Sequence, residues 1–180
     1  SLLSMLQGNR EFLMIDDQKV VYETALSLAA DSQVGGKQVL IVEGGPGTGK
    51  SVVAVNLLVE LTNRDLVAAY VSKNAAPRAV FESKLVGSFK KSRIANLFKG
   101  SGAFIDTRSN VFDALIVDEA HRLNEKGGLF GNLGDNQIKE LIKASKLSVF
   151  FLDEDQRVTL KDIGEKSEIR RWAERAGASV

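Results

Sequence analysis

Gly44-Gly45-Pro46-Gly47-Thr48-Gly49-Lys50-Ser51 follows the apolar run Val39-Leu40-Ile41-Val42 and opens onto the Val/Leu-rich segment Val52 to Leu61. The order is strand, glycine loop, helix, and the eight residues satisfy the G-x-x-x-x-G-K-[ST] pattern of a phosphate-binding loop, the Walker A motif. Glycines let the loop amides turn inward onto a polyphosphate, and the start of the next helix adds partial positive charge. Within Gly45, Pro46, Gly47, Thr48 and Gly49 the backbone would do the binding. Lys50 would reach the β- and γ-phosphates, and the Ser51 hydroxyl would hold Mg²⁺. A plain glycine turn is the competing reading, and the full motif in this context argues against it.

Working outward, apolar runs alternate with helical patterns. Asp17 to Ala30 carries Val20, Val21, Ala25, Leu26 and Leu28 at helical spacing, and Asp31 to Lys37 reads as a loop by composition. Gln38 to Glu43 is a buried strand and Gly49 to about Thr62 a helix. Leu66 to Ser72 is the next strand, and a helix follows from near Ala75 to Phe89, with Pro77 in its first turn. Ala103-Phe104-Ile105 is a candidate short strand. Phe112 to Val117 and Leu147 to Leu152 are strands, Asn136 to Ser145 a helix, and Gly164 to Ala176 a charged helical tail. The alternation predicts an α/β fold, a RecA-like P-loop NTPase with a parallel β-sheet flanked by helices in three layers, α/β/α. Residues 1–180 are expected to form one ATP-binding domain. Ligands of such sheets bind beyond the carboxyl ends of the strands, where every motif here falls.

The chain has 180 residues, 44% hydrophobic, which suits one domain with a sizeable core. A net charge of +1 advertises no global nucleic-acid field, so any such contact must be local. The absence of cysteine excludes disulfides, thiolate zinc sites and iron–sulfur clusters, and the single histidine, His121, cannot build a multi-histidine metal site. No apolar run approaches the roughly 18 residues of a membrane span, and no signal peptide is visible. A soluble, cytoplasmic protein is expected. The first residue is Ser1 rather than Met, which reads as a fragment of a longer protein.

Asp118-Glu119 after the third clear strand completes the second half of an ATPase site, the Walker B position. Asp118 would hold the Mg²⁺ shell through water, and Glu119 would orient or deprotonate the attacking water. Two solvated acids at a strand end are the alternative, and the complete phosphate loop weighs against it.

Gly45 to Ser51, Asp118-Glu119-Ala120-His121 (a DEAH sequence) and Asp153-Glu154-Asp155-Gln156 resemble motifs I, II and III of superfamily 1 helicases. Tyr70-Val71-Ser72-Lys73-Asn74-Ala75-Ala76-Pro77-Arg78, with Asp118 to Leu123 and Asp155-Gln156-Arg157-Val158, is similar to the bacterial Schlafen-group-3-like DNA/RNA helicase domain family, from about Phe12 to the C-terminus. The resemblance implies roles residue by residue. Gln18 would read the adenine edge, against the alternative of a solvent-facing helix glutamine. Gln156 would sense the γ-phosphate, with Asp153 ahead of it, although Leu152 replaces the family's more usual glycine. His121 would couple ATP state to the fourth-strand turn. Ser72, Lys73 and Asn74 would contact the backbone of single-stranded DNA or RNA, and Arg78 would extend that track. For Lys90-Lys91-Arg93 a solvated face is the better reading, and Phe89 beside it is more readily core than a stacking platform.

A superfamily 1 motor closes ATP between two RecA-like domains, the second of which supplies an arginine finger worth 10³–10⁵ in rate. The chain has no room for a second domain, so the expectation is nucleotide binding with slow hydrolysis by this fragment alone. Two other classes stay open. One is an ATP-dependent switch acting on a protein partner without unwinding; the other is a nucleic-acid scaffold that has lost turnover. Stimulation of hydrolysis by nucleic acid separates the first reading from the second.

Overall fold

The computed structural model describes residues 16–44, 50–72, 97–120, 136–152 and 166–180. Helix α1 spans Asp16–Val34, strand β1 Gln38–Glu43, helix α2 Lys50–Asn63 and strand β2 Ala68–Ser72. Strand β3 is Phe98–Gly100, followed by a 3₁₀ turn at Ser101–Phe104. Strand β4 is Phe112–Val117, helix α3 Gln137–Ala144, strand β5 Ser145–Leu152 and helix α4 Lys166–Arg175.

Among the described residues the five strands form one parallel sheet in the order β1-β5-β4-β2-β3. Near-continuous apolar strands are what a sheet covered on both faces requires. Alternate strand residues supply two cores. On one face Tyr70, Ile116, Val149 and Phe151 meet Leu57, Leu58 and Leu61 of α2 and Ala25 and Ala29 of α1. On the other, Val71, Leu115, Val117 and Phe150 meet Ile138, Leu141 and Ile142 of α3 and Ile169 and Ala173 of α4. The fold is therefore the α/β, RecA-like one expected, with helices on both sides of a parallel sheet. No helix among the described residues is long and apolar enough to cross a membrane.

Two local expectations are corrected. Residues 31–34 do not belong to a loop: α1 continues through them to Val34. Ser32 is buried and turns its hydroxyl onto the Ala29 carbonyl at 2.8 Å, so a polar residue is accommodated on the packed face. The helix ends at Gly35, whose N–H reaches the Asp31 carbonyl at 2.8 Å. Ala103-Phe104-Ile105 is not a strand either. The short edge strand is Phe98–Gly100, and Phe104 is buried in the 3₁₀ turn, edge-on to Phe112 with ring centroids 5.7 Å apart. Its apolar character reflects a core anchor rather than sheet pairing. The helix expected from Ala75 to Phe89 lies outside the described residues.

Helix α3 is fixed at both ends. The Asn136 side chain accepts from the N–H groups of Ile138 (2.8 Å) and Lys139 (3.3 Å), an N-cap that satisfies two orphan donors. At its other end Lys37 donates to the carbonyls of Ile142 (2.7 Å) and Ser145 (2.6 Å) and to Asn110 Oδ1 (2.7 Å). Burial pushes the Lys37 ammonium below its ordinary pKa. One cation thus ties the amino ends of β1, β4 and β5 together.

Candidate nucleotide-binding site

β1 delivers the chain to Gly44, whose N–H donates to the Leu152 carbonyl at 3.2 Å, so β1 and β5 leave the sheet together. Lys50 is the first residue of α2, and its Nζ donates to the Gly44 carbonyl at 2.5 Å. The lysine thus reaches back across the glycine loop to the end of β1. Gly45, Pro46, Gly47, Thr48 and Gly49 lie outside the described residues, and Ser51 is described only as part of the α2 backbone.

The sheet register brings the acidic pair to the same end. Val117 pairs with Phe150, and Phe150 with Ile41. Asp118 therefore leaves β4 one rung above Ile41, close to where β1 gives way to the loop. Only β5 lies between, so about 10 Å separates the β1 and β4 backbones. The Asp118 N–H donates to the Val71 carbonyl at 2.9 Å. Its Oδ1 accepts from the Glu119 N–H at 2.9 Å, and its Oδ2 accepts from the Tyr70 hydroxyl.

Tyr70 is a residue that sequence reasoning missed. It lies on β2 opposite Ile116, so Asp118 stands two residues further along on the same face, about 7 Å away, a span a phenol covers. The ring is buried and tilted against Phe98, with centroids 5.7 Å apart. Burial, then the Asp118 charge and hydrogen bond, then Glu119, push the phenol far above its ordinary pKa. It is consequently a permanent donor. The available signal was a tyrosine inside an otherwise apolar buried strand, since a buried hydroxyl calls for a partner.

Glu119 has φ +49°, a left-handed backbone conformation uncommon for a non-glycine residue. Such residues cost about 1–3 kcal/mol and cluster at functional sites. Here it turns the chain sharply off β4, and Ala120 is buried immediately after it.

Gln18 lies in the first turn of α1, half-buried. At the other end of α1, Gln33 donates to Asp113 Oδ1 at 3.2 Å, next to the amino end of β4. A 19-residue helix is about 28 Å long, longer than the strands it covers, so its first turn lies toward their carboxyl ends. Ser72 closes β2 and is buried, paired in register with Gly100. Lys73, Asn74, Arg78, His121, Asp153 and Gln156 lie outside the described residues.

Among the described residues no group of three or more His, Asp or Glu side chains could cage a metal. Mg²⁺ beside a triphosphate needs no such cage, because it keeps waters and takes only one or two protein ligands. Asp118 fits that role: each carboxylate oxygen already holds one donor and retains a lone pair for a metal-bound water.

Domain III of the Thermotoga maritima replication initiation protein DnaA superposes with a TM-score of 0.46 at 16% identity, covering 90% of this chain. A structure described as a DNA replication initiation factor gives 0.45 at 15% identity, covering 91%. The chain spans 61% and 46% of those two proteins. Comparison with curated proteins gives no significant match. The family model described as Schlafen group 3, DNA/RNA helicase domain, matches residues 37–180, with α1 and Gln18 ahead of the matched part. With the phosphate loop, the acidic pair and most of the sheet inside that match, the chain belongs to the Schlafen group 3 DNA/RNA helicase domain family.

Proposed function

We propose that residues 1–180 form the ATP-binding and hydrolysing motor domain, the N-terminal RecA-like half, of a superfamily 1-like DNA or RNA helicase or translocase. One observation carries the reading. At the same end of a parallel sheet, Lys50 reaches across the loop to Gly44, while Asp118 is held by two donors beside a left-handed Glu119.

In this reading Lys50 and the loop amides bind and orient the β- and γ-phosphates. Ser51 and Asp118 are the residues to hold Mg²⁺, which supplies neutralisation of phosphate charge when bound with ATP. Tyr70 fixes the direction of the Asp118 carboxylate through its hydroxyl. Glu119 accepts a hydrogen bond, and then the proton, from the water that attacks the γ-phosphorus. Gln18 contacts adenine, because an amide donates and accepts at once. Gln156, Asp153 and His121 couple the phosphate to Ser72, Lys73, Asn74 and Arg78, which track a single strand through its phosphates. A second RecA-like domain elsewhere in the full-length protein supplies the opposite wall and an arginine finger, so this chain alone turns over slowly. The proposed setting is the cytoplasm.

The test is ATP hydrolysis by the full-length protein with and without single-stranded DNA and RNA. Stimulation by either strand supports the motor. Hydrolysis indifferent to both favours an ATP-dependent switch acting on a protein partner, and strand binding with no hydrolysis favours a scaffold.

A further inference from the structure

At the amino end of the sheet, opposite the phosphate loop, lies a cavity of about 340 Å³ lined by Lys37, Asn110, Lys139, Lys143, Trp172 and Arg175 among its residues. Lys37 leads into β1, Asn110 precedes β4 and Lys143 precedes β5. The six residues of β1 put about 20 Å between this cavity and Gly44. Among the described residues four cations line it and no carboxylate does. Around the Trp172 indole stand the Arg175 guanidinium at 5.0 Å, that of Arg171 at 5.5 Å and the Lys139 ammonium at 5.7 Å from the ring centroid.

The simplest account of these cations is structural, because α3 and α4 both end here and helix C-termini attract positive charge. That account is too small. Two C-termini amount to roughly −1 in total, which Lys37 on the α3 carbonyls already offsets. Lys37 is committed to carbonyls, and Arg171 is paired with Glu168 at 3.0 Å. Lys143 and Arg175 have no carboxylate partner among the described residues. Contact with the indole draws a cation to the ring face and brings no countercharge. The chain carries a net charge of only +1, so this concentration is local.

We propose that this cavity is a second anion site that takes the phosphates of a nucleic-acid backbone or of a free polyphosphate, independently of the nucleotide site. A multiply charged phosphate group bridges Lys143 and Arg175 and supplies the countercharge these two lack among the described residues. The arginine offers a planar fork and the lysine a mobile point charge. Binding is electrostatic, so it falls steeply with added salt. The inference does not rest on the motor reading and survives its failure.

Trp172 is the chain's only tryptophan, so its fluorescence reports on this cavity alone. The experiment titrates the Lys50→Ala protein, whose phosphate loop is disabled, with tripolyphosphate and separately with a single-stranded oligonucleotide. A saturable change in Trp172 fluorescence is expected with at least one of them, weakened about tenfold by Lys143→Ala, which leaves the ring contacts in place. Calorimetry on the Lys143→Ala/Arg175→Ala protein, checked for folding by circular dichroism, should show the heat of binding lost. A response to tripolyphosphate alone assigns a free polyphosphate; a response to the oligonucleotide assigns a nucleic-acid backbone. No saturable response to either probe, or one that Lys143→Ala leaves unchanged, overturns the proposal.

Discussion

The Tyr70 hydroxyl donates to Asp118 Oδ2 across the β2–β4 pair, so the carboxylate beside the phosphate loop is aimed by a neighbouring strand. Replacing Tyr70 by Phe removes the donor and keeps the ring packed on Phe98. A hydrogen bond to a charged group is worth about 1.5–3 kcal/mol, so the folded protein loses stability on that scale. The carboxylate, held by one donor instead of two, swings more freely. Titration of Mg²⁺ into the protein with a fluorescent ATP analogue should therefore show a raised Mg²⁺ requirement, while metal-free nucleotide binding stays unchanged. An unaltered Mg²⁺ dependence would limit the contact to a structural role.

Lys50 bridges to Gly44 in this structure and is the proposed partner of a triphosphate. Lys50→Ala should weaken ATP binding by about ten- to a hundredfold, the loss of one charge-assisted interaction. Competition with a fluorescent nucleotide measures it. The Tm should change little, since the lysine sits at the first, partly exposed position of α2.

Glu119 offers a test that separates chemistry from backbone strain. Glu119→Gln in the full-length protein should lower turnover by about 10²–10⁴ and leave nucleotide affinity intact. Glu119→Gly should also abolish turnover, but it should raise stability. Relief of a left-handed non-glycine residue, about 1–3 kcal/mol, exceeds the roughly 0.4–1 kcal/mol of added unfolded-state entropy. A net gain of about 1 kcal/mol corresponds to a Tm higher by about 2–4 °C in a chain of this size. Thermal denaturation of the two variants side by side decides it, and normal hydrolysis by Glu119→Gln would remove Glu119 as the base.

Lys37→Met keeps much of the side-chain volume and deletes the ammonium that serves Ile142, Ser145 and Asn110. Leaving those acceptors without it should cost about 2 kcal/mol, a Tm lower by about 4–8 °C. Calorimetry would register the change. Nucleotide affinity at the opposite end of the sheet should be unaffected.

Much of this fold was legible because its strands are apolar runs set between glycine-rich and helical segments. Phe112 to Val117 and Gln38 to Glu43 were read to the residue. Failures came where composition and packing disagree. Asp31 to Val34 has the make-up of a loop, yet Ser32 folds its hydroxyl onto the helix and is buried. Phe98–Gly100 is too short to show periodicity. In the candidate site Lys50, Asp118 and Glu119 followed from motif logic, whereas Tyr70 did not. Its identity is visible in the sequence, but its partner is set by the register of β2 on β4, a long-range pairing that no local pattern encodes.

The position of β5 has a consequence for how the protein is made. The last strand among the described residues lies between β1 and β4, and Gln38 finds its partner in Leu147. Until β5 has been synthesised and inserted, no strand joins the one that bears the phosphate loop to the one that bears the acidic pair. Distant pairings of this kind fold slowly, and the waiting apolar edges are exposed to misassociation on the ribosome. A chain truncated before Ser145 should thus yield no partial site: the two halves are born together, late, or not at all.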